Sequence, residues 1–215
     1  MLKLYGRGFR MKDKPFIGIA GNIGVGKTTF TSFVAKKFNL VDIYESVSDN
    51  PYLSDFYSDM KRWSFNLQIY FLHHRFASIN NMVSNSEGGI VQDRTIYEDV
   101  EIFSKNLYKI GYMDKRDWNT YSDLFKNMTQ FIRKPDLIIY LKADLGVLLE
   151  RIEKRDRDYE TEIDPKYLEQ LNELYDNWVE SINWTKTMVI DTNNFNIYKD
   201  QEKLDKILDD IGTII

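Results

Sequence analysis

The sequence contains no cysteine, which excludes disulfides and thiolate metal sites and fits a reducing cytoplasm. Proline is scarce, with four in 215 residues, and no central stretch has the composition of a linker. One domain with one substantial core is therefore expected over residues 15–215. No apolar run approaches membrane-spanning length, and the opening MLKLYGRGFR lacks the continuous apolar stretch of a signal peptide. Residues 1–14 read as a loose tail, with Met11 as an alternative start. Neither sign of charge dominates. The 29 basic and 33 acidic residues leave −4, which gives no electrostatic basis for a nucleic-acid or membrane partner and remains compatible with a small phosphorylated ligand. The two histidines, His73 and His74, have no acidic or cysteine partner at metal-ligand spacing, so neither is assigned a catalytic role.

Against these absences stands one dense local pattern. Gly21, Asn22, Ile23, Gly24, Val25, Gly26, Lys27, Thr28 and Thr29 fit the phosphate-cradling pattern G-x-x-x-x-G-K-[ST]. Phe16 to Ala20 before it is short and apolar, like a buried parallel strand, and Thr28 to Phe38 after it reads as a helix. In that setting the glycines turn the backbone so that its N–H groups form an anion nest at the positive end of the helix. Lys27 then reaches the outer phosphates and Thr28 ligates magnesium.

Five apolar runs punctuate the chain: Phe16 to Ala20, Val41 to Tyr44, Gly89 to Gln92, Leu137 to Leu141 and Met188 to Ile190. Helical patterns separate them, which predicts an α/β fold with a parallel sheet covered on both faces. Pro51 to Ser84 is too long for a simple crossover and reads as two helices, with Trp63, Leu67, Tyr70, Phe71 and His74 on one stripe of the second. Helices are also expected over about Thr95 to Leu107 and Lys115 to Phe131, and from Pro165 with Asp164 as N-cap.

In an open parallel sheet, ligands bind beyond the carboxyl ends of the strands. Glu45 and Asp93, ending the second and third runs, are thus candidate functional carboxylates, and Arg94 beside them is a candidate phosphate clamp. Solubility at a strand end and N-capping are the structural alternatives for the two carboxylates. Gln68 and Arg75 lie seven residues apart on nearly one helical face beside the aromatic stripe, an arrangement suited to a planar ligand or to a solvated face. Arg151, Arg155 and Arg157 cluster after the fourth run, either closing on a triphosphate or salt-bridging Glu150, Glu153 and Asp156.

Together these blocks resemble the deoxynucleoside kinase family over nearly the whole chain. The likeness rests on Gly21 to Thr29, Glu45-Ser46-Val47, Asn50-Pro51-Tyr52-Leu53 with Phe56-Tyr57, Arg62-Trp63-Ser64-Phe65 with Gln68 and Arg75, Asp93 to Asp99, and Arg155-Asp156-Arg157 with Glu160. It is nearest to the bacterial deoxyadenosine/deoxycytidine kinases. The resemblance implies a P-loop kinase three-layer sandwich with a five-stranded parallel sheet and an arginine-rich lid at about 151–163. It implies ATP and Mg2+ as donor and cofactor, a homodimer, and phosphorylation of deoxyadenosine or deoxycytidine at the 5′-hydroxyl. Glu45 then accepts the hydroxyl proton with Arg94 orienting the hydroxyl, and Asp93 organises the magnesium shell or is itself the acceptor. Tyr57 and Glu160 hold the 3′-hydroxyl. Gln68 reads the base edge with the Arg75–Asp99 pair behind it, and Trp63 and Phe103 form aromatic walls. Arg151, Arg155 and Arg157 contact ATP. Asp156 stands where the family lid commonly has glycine, a negative charge beside the triphosphate. A deoxyguanosine- or thymidine-preferring relative, a nucleoside monophosphate kinase and an inactive partner subunit are the competing readings. The neutral-sugar set Tyr57, Gln68 and Glu160 argues against the monophosphate kinase, and retention of Lys27, Glu45, Asp93 and Arg94 argues against silence.

Overall fold

Each of the five apolar runs forms a strand, and the five strands make one sheet in the order β2-β3-β1-β4-β5 with every pairing parallel. The strands are β1 (Phe16–Gly21), β2 (Val41–Ile43), β3 (Ile90–Asp93), β4 (Leu137–Lys142) and β5 (Lys186–Asp191). This computed structural model describes residues 14–44, 50–85, 88–155 and 163–215, the side chains of 83–85 excepted. Glu45, Arg157, Glu160 and Asp156, together with residues 1–13 of the expected tail, lie outside the described residues.

The continuous apolar character of the central strands follows from burial on both faces. Successive side chains alternate across the sheet. Ile17, Ile19, Leu137, Ile139 and Leu141 enter one core, with Phe30 and Val34 of α1 (Lys27–Phe38) and Leu204, Leu208 and Ile211 of α9 (Gln201–Ile214). Ala20, Ile138 and Tyr140 enter the other, with Leu168, Leu171 and Tyr175 of α8 (Pro165–Ser181). At about 1.5–3 kcal/mol per fully buried large aliphatic side chain, these two layers are the main favourable term in folding.

The interval between β2 and β3 forms two helices, α2 (Leu53–Ser58) and the long α3 (Met60–Asn85). Asp164 caps α8 as expected, its Oδ1 accepting from Lys166 N at 2.9 Å. The segment from Thr95 departs from the single regular helix predicted for it. A short turn α4 (Ile96–Glu98) leads into a π-helical turn (Asp99–Ser104) and then α5 (Lys105–Lys109). After α6 (Lys115–Thr129) and β4 comes α7 (Leu145–Arg155), so the first five residues of the expected lid are the end of a helix.

Candidate active site

Strand β1 lies between β3 and β4, and the phosphate-loop sequence leaves its carboxyl end, the position at which an open α/β sheet presents ligand sites. At two glycines of the loop a side chain would be strained and would also collide with its surroundings. Gly21 has φ 149°, and a Cβ there would stand 2.7 Å from Leu141 O and 2.8 Å from Val25 Cγ1. Gly24 has φ 82°, and its Cβ would meet Ile152 Cγ1 at 2.7 Å. Asn22 fixes the loop to α8: its Nδ2 donates to Leu168 O at 2.9 Å and to Asn172 Oδ1 at 2.7 Å, while its Oδ1 accepts from Ile23 N at 2.7 Å. Buried Lys27 donates from Nζ to Gly21 O and Asn22 O, both at 2.9 Å. The loop therefore brings an ammonium and the N-terminal N–H groups of α1 to one place.

Asp93 ends β3 directly across from Ile19 of β1. Thr28 Oγ1 donates to Asp93 Oδ2 at 2.6 Å, and Asp93 Oδ1 is buried with no hydrogen-bond partner among the described residues. N-capping by Asp93 is not what the chain uses here. The cap belongs to Thr95, whose N–H donates to Glu98 Oε2 at 2.7 Å. Arg94 between them has φ 68°, a left-handed conformation uncommon for a long side chain. Both of its backbone groups are pinned, with N donating to Ile19 O at 2.9 Å and O accepting from Arg75 Nη1 at 2.9 Å. Its guanidinium carbon stands 4.2 Å from the centroid of the Phe103 ring and its Nε 4.0 Å from Glu98 Oε1.

One cavity of ≈ 160 Å³ runs from this polar end to an apolar one. Lys27, Thr28, Asp93, Arg94 and Arg155 lie at the first end, and Tyr57, Leu67, Gln68, Phe71, Asp99, Phe103 and Tyr167 line the remainder. The π-helical turn sets the apolar end. In an α-helix, residues five apart point about 140° away from each other. In a π-turn they share a face, so Asp99 and Ser104 both meet α3. Asp99 takes Arg75 in a bidentate pair, Nε to Oδ2 at 2.7 Å and Nη2 to Oδ1 at 3.1 Å, both side chains buried. Ser104 Oγ donates to Gln68 Oε1 at 3.0 Å. Arg75 thus joins the base-edge candidates to the Arg94 carbonyl, and the two ends of the cavity are mechanically connected.

A second, more open groove of ≈ 510 Å³ adjoins the other side of the loop, lined by Val25, Gly26, Thr29, Phe30, Arg151, Thr192 and residues 193–198. Arg151 sits here rather than in a lid. Its Nη1 donates to Val25 O at 3.1 Å and Thr192 Oγ1 at 3.0 Å, and its Nη2 donates to Thr192 O. Partial burial lowers its pKa. Glu150, the residue beside it, pairs instead with Lys154. Trp63 also differs from expectation. It stands over Tyr52 at 5.9 Å beneath the Arg62 guanidinium and does not line the first cavity, whose aromatic residues are Tyr44, Phe56, Tyr57, Phe71, Phe103 and Tyr167. Two contributors had no assigned role. Tyr167 follows no local motif. Glu98 had a visible signal, the Thr-x-x-Glu capping box from Thr95, but nothing nearby in sequence announces its partner Gly21.

A family model described as "Deoxynucleoside kinase" matches residues 17–215. A deoxyadenosine/deoxycytidine kinase of Bacillus subtilis is 40% identical over 201 residues, covering 93% of this chain and 92% of its own. A deoxyguanosine kinase of the same organism is 37% identical over 166 residues, covering 77% and 79% respectively. Among solved structures, a deoxyadenosine kinase from M. mycoides with the products dCMP and a flexible dCDP bound superposes with TM-score 0.78 at 31% identity, covering 91% of this chain and 99% of that one.

Proposed function

Since the chain belongs to the deoxynucleoside kinase family, we propose that its first cavity takes deoxyadenosine or deoxycytidine and its second groove the base of ATP. The observation that carries this reading is the lining of the first cavity, with Lys27, Thr28, Asp93 and Arg94 on the phosphate-loop side and Gln68 and Asp99, the partner of Arg75, among the remainder. Adenine and cytosine both present a ring-nitrogen acceptor next to an amino donor, and one side-chain amide satisfies both. The B. subtilis relatives with different base names are too similar in identity to choose between them, so the preference rests on Gln68 and the buried pair. The phosphate loop separates the two cavities, and transfer between a donor and an acceptor requires a site on each side.

The reaction forms a bond from the nucleoside 5′-oxygen to the γ-phosphorus and breaks the bond to the β,γ-bridging oxygen, so that ADP leaves. The hydroxyl proton passes to a carboxylate, which we assign to Glu45, next to the cavity residue Tyr44. Arg94 orients the hydroxyl, and Lys27 with Arg155 balances charge on the phosphoryl oxygens. Thr28 and Asp93 are hard oxygen donors, and the buried, unpartnered Asp93 Oδ1 suits Mg2+ or its water shell. When bound, the ion supplies charge neutralisation for the leaving diphosphate. Tyr57 with Glu160 on the 3′-hydroxyl, and Arg157 on ATP, complete the assignment by resemblance.

A cytoplasmic homodimer is part of the proposal. No described helix is long and apolar enough to cross a membrane. Exposed Met82, Leu124 and Phe131 on and just after α3 and α6 are apolar surface for a second copy. Labelled γ-phosphate transfer from ATP to deoxyadenosine tests the chemistry. The wild type should form the 5′-monophosphate, and Glu45→Gln should lower kcat by about 10²–10⁴ with KM nearly unchanged. Near-normal turnover by the variant removes Glu45 from the mechanism, and no transfer by the wild type overturns the kinase reading.

A further inference from the structure

We infer that Glu98 is a positioning residue for phosphoryl transfer, holding the first peptide of the phosphate loop and the Arg94 guanidinium in one register, an inference that rests on the kinase reading above. Glu98 is fully buried and does not line the first cavity. Its Oε1 accepts from Gly21 N at 3.3 Å and from the Tyr175 hydroxyl at 2.8 Å. Its Oε2 accepts from Thr95 N at 2.7 Å and from Thr95 Oγ1 at 3.3 Å. The two backbone N–H groups only donate, one to each oxygen, so both oxygens must be acceptors. A carboxylate meets that demand and an amide does not. Arg94 Nε lies 4.0 Å from the same Oε1 that holds Gly21.

Capping is too small a task to explain this residue. Helical turn α4 has three residues, and a neutral cap serves such a turn at a benefit of about 1 kcal/mol. A buried carboxylate is costly unless several donors and a counter-charge compensate it. Here the compensating groups come from three separated elements: the end of β1, the turn after β3 and helix α8. Arg94 and Lys27 supply the positive charge. Arg94 has its backbone fixed by Ile19 and Arg75 and its guanidinium packed between Phe103 and Glu98, so moving the carboxylate redirects the group that faces the acceptor hydroxyl. Gly21 is held from both sides, through N by Glu98 and through O by Lys27, and the same displacement shifts the phosphate-binding lysine.

Glu98→Gln keeps the volume and turns an amide N–H₂ toward at least one obligatory donor. We expect it to lower kcat by about 10–100-fold, the scale of an ångström-size misplacement, while KM for the nucleoside changes by less than about threefold. Glu98→Asp restores the charge and should recover part of kcat. On an Arg94→Lys background the Gln substitution should cost less than in the wild type, because the route through the guanidinium is already removed and only that through Gly21 and Lys27 remains. Independently of turnover, hydrogen exchange at the Gly21 N–H, read by NMR, should accelerate in Glu98→Gln. Unchanged kcat per folded Glu98→Gln molecule, with the wild type active, would show a merely structural role, and an equal loss on both backgrounds would overturn the shared register with Arg94. Unchanged exchange at Gly21 overturns the inference even where the kinase reading itself fails.

Discussion

Asp99 and Arg75 show at the level of single residues how the site is held. Their side chains are 3% and 4% exposed, so removing one charge strands the other in a low-dielectric interior. Asp99→Asn should cost about 3–5 kcal/mol in urea unfolding, with loss of deoxyadenosine turnover. Glu98 gives the pH-dependent counterpart. Burial raises its carboxyl above the ordinary value of 4.5, against the lowering effects of Arg94, Lys27, Thr95 and Tyr175. A carboxyl with a raised folded-state pKa contributes stability below its unfolded value and loses it as pH rises through the folded one. The stability of the wild type minus that of Glu98→Gln should accordingly fall as pH increases from about 4.5 and then level off. A flat difference in pH-dependent denaturation would contradict the direction of the shift. Gly21 to Thr29 was readable in sequence because its geometry is local. The pairing of Arg75 with Asp99 spans 24 residues and that of Gly21 with Glu98 spans 77; the former was reached only through family resemblance, and the latter was missed.

At the scale of elements, the apolar runs located β1, β3 and β4 because a central parallel strand is buried on both faces and needs no partner sequence to be recognised, while the edge strands β2 and β5 are partly exposed and were marked only by short runs. The π-helical turn was not legible. The partners of its Asp99 and Ser104 side chains, Arg75 and Gln68, lie on α3, outside the segment itself. The helical end of the expected lid was missed for a related reason. A run of charges reads as a loop, whereas Leu148 and Ile152 anchor α7 to the core. Arg151 on that helix braces the phosphate loop against Thr192. Arg151→Ala should raise KM for ATP roughly tenfold, the cost of charge-assisted hydrogen bonds lost, and leave KM for the nucleoside little changed. Equal effects on both would place Arg151 elsewhere in the mechanism. Gly24→Ala, forced to φ 82° against Ile152, should lose about 1–2 kcal/mol of stability and reduce the rise in Tm that ATP produces.

For the whole molecule, the sheet order places the phosphate loop between the two cavities proposed for acceptor and donor, and the buried Asn22, Glu98 and Arg75 contacts bind that arrangement to helices α8, α4 and α3. A homodimer should sediment at about twice the 25.6 kDa of the chain, and Leu124→Asp should lower that mass if α6 is in the interface; a monomer at micromolar concentration would remove the dimer from the account. The most direct test of the central claim is a comparison of kcat/KM with ATP for deoxyadenosine, deoxycytidine, deoxyguanosine and thymidine, with thymidine monophosphate as a control acceptor. The account predicts 5′-monophosphate formation with deoxyadenosine and deoxycytidine well ahead of the other two nucleosides. Turnover of thymidine monophosphate alone would contradict it.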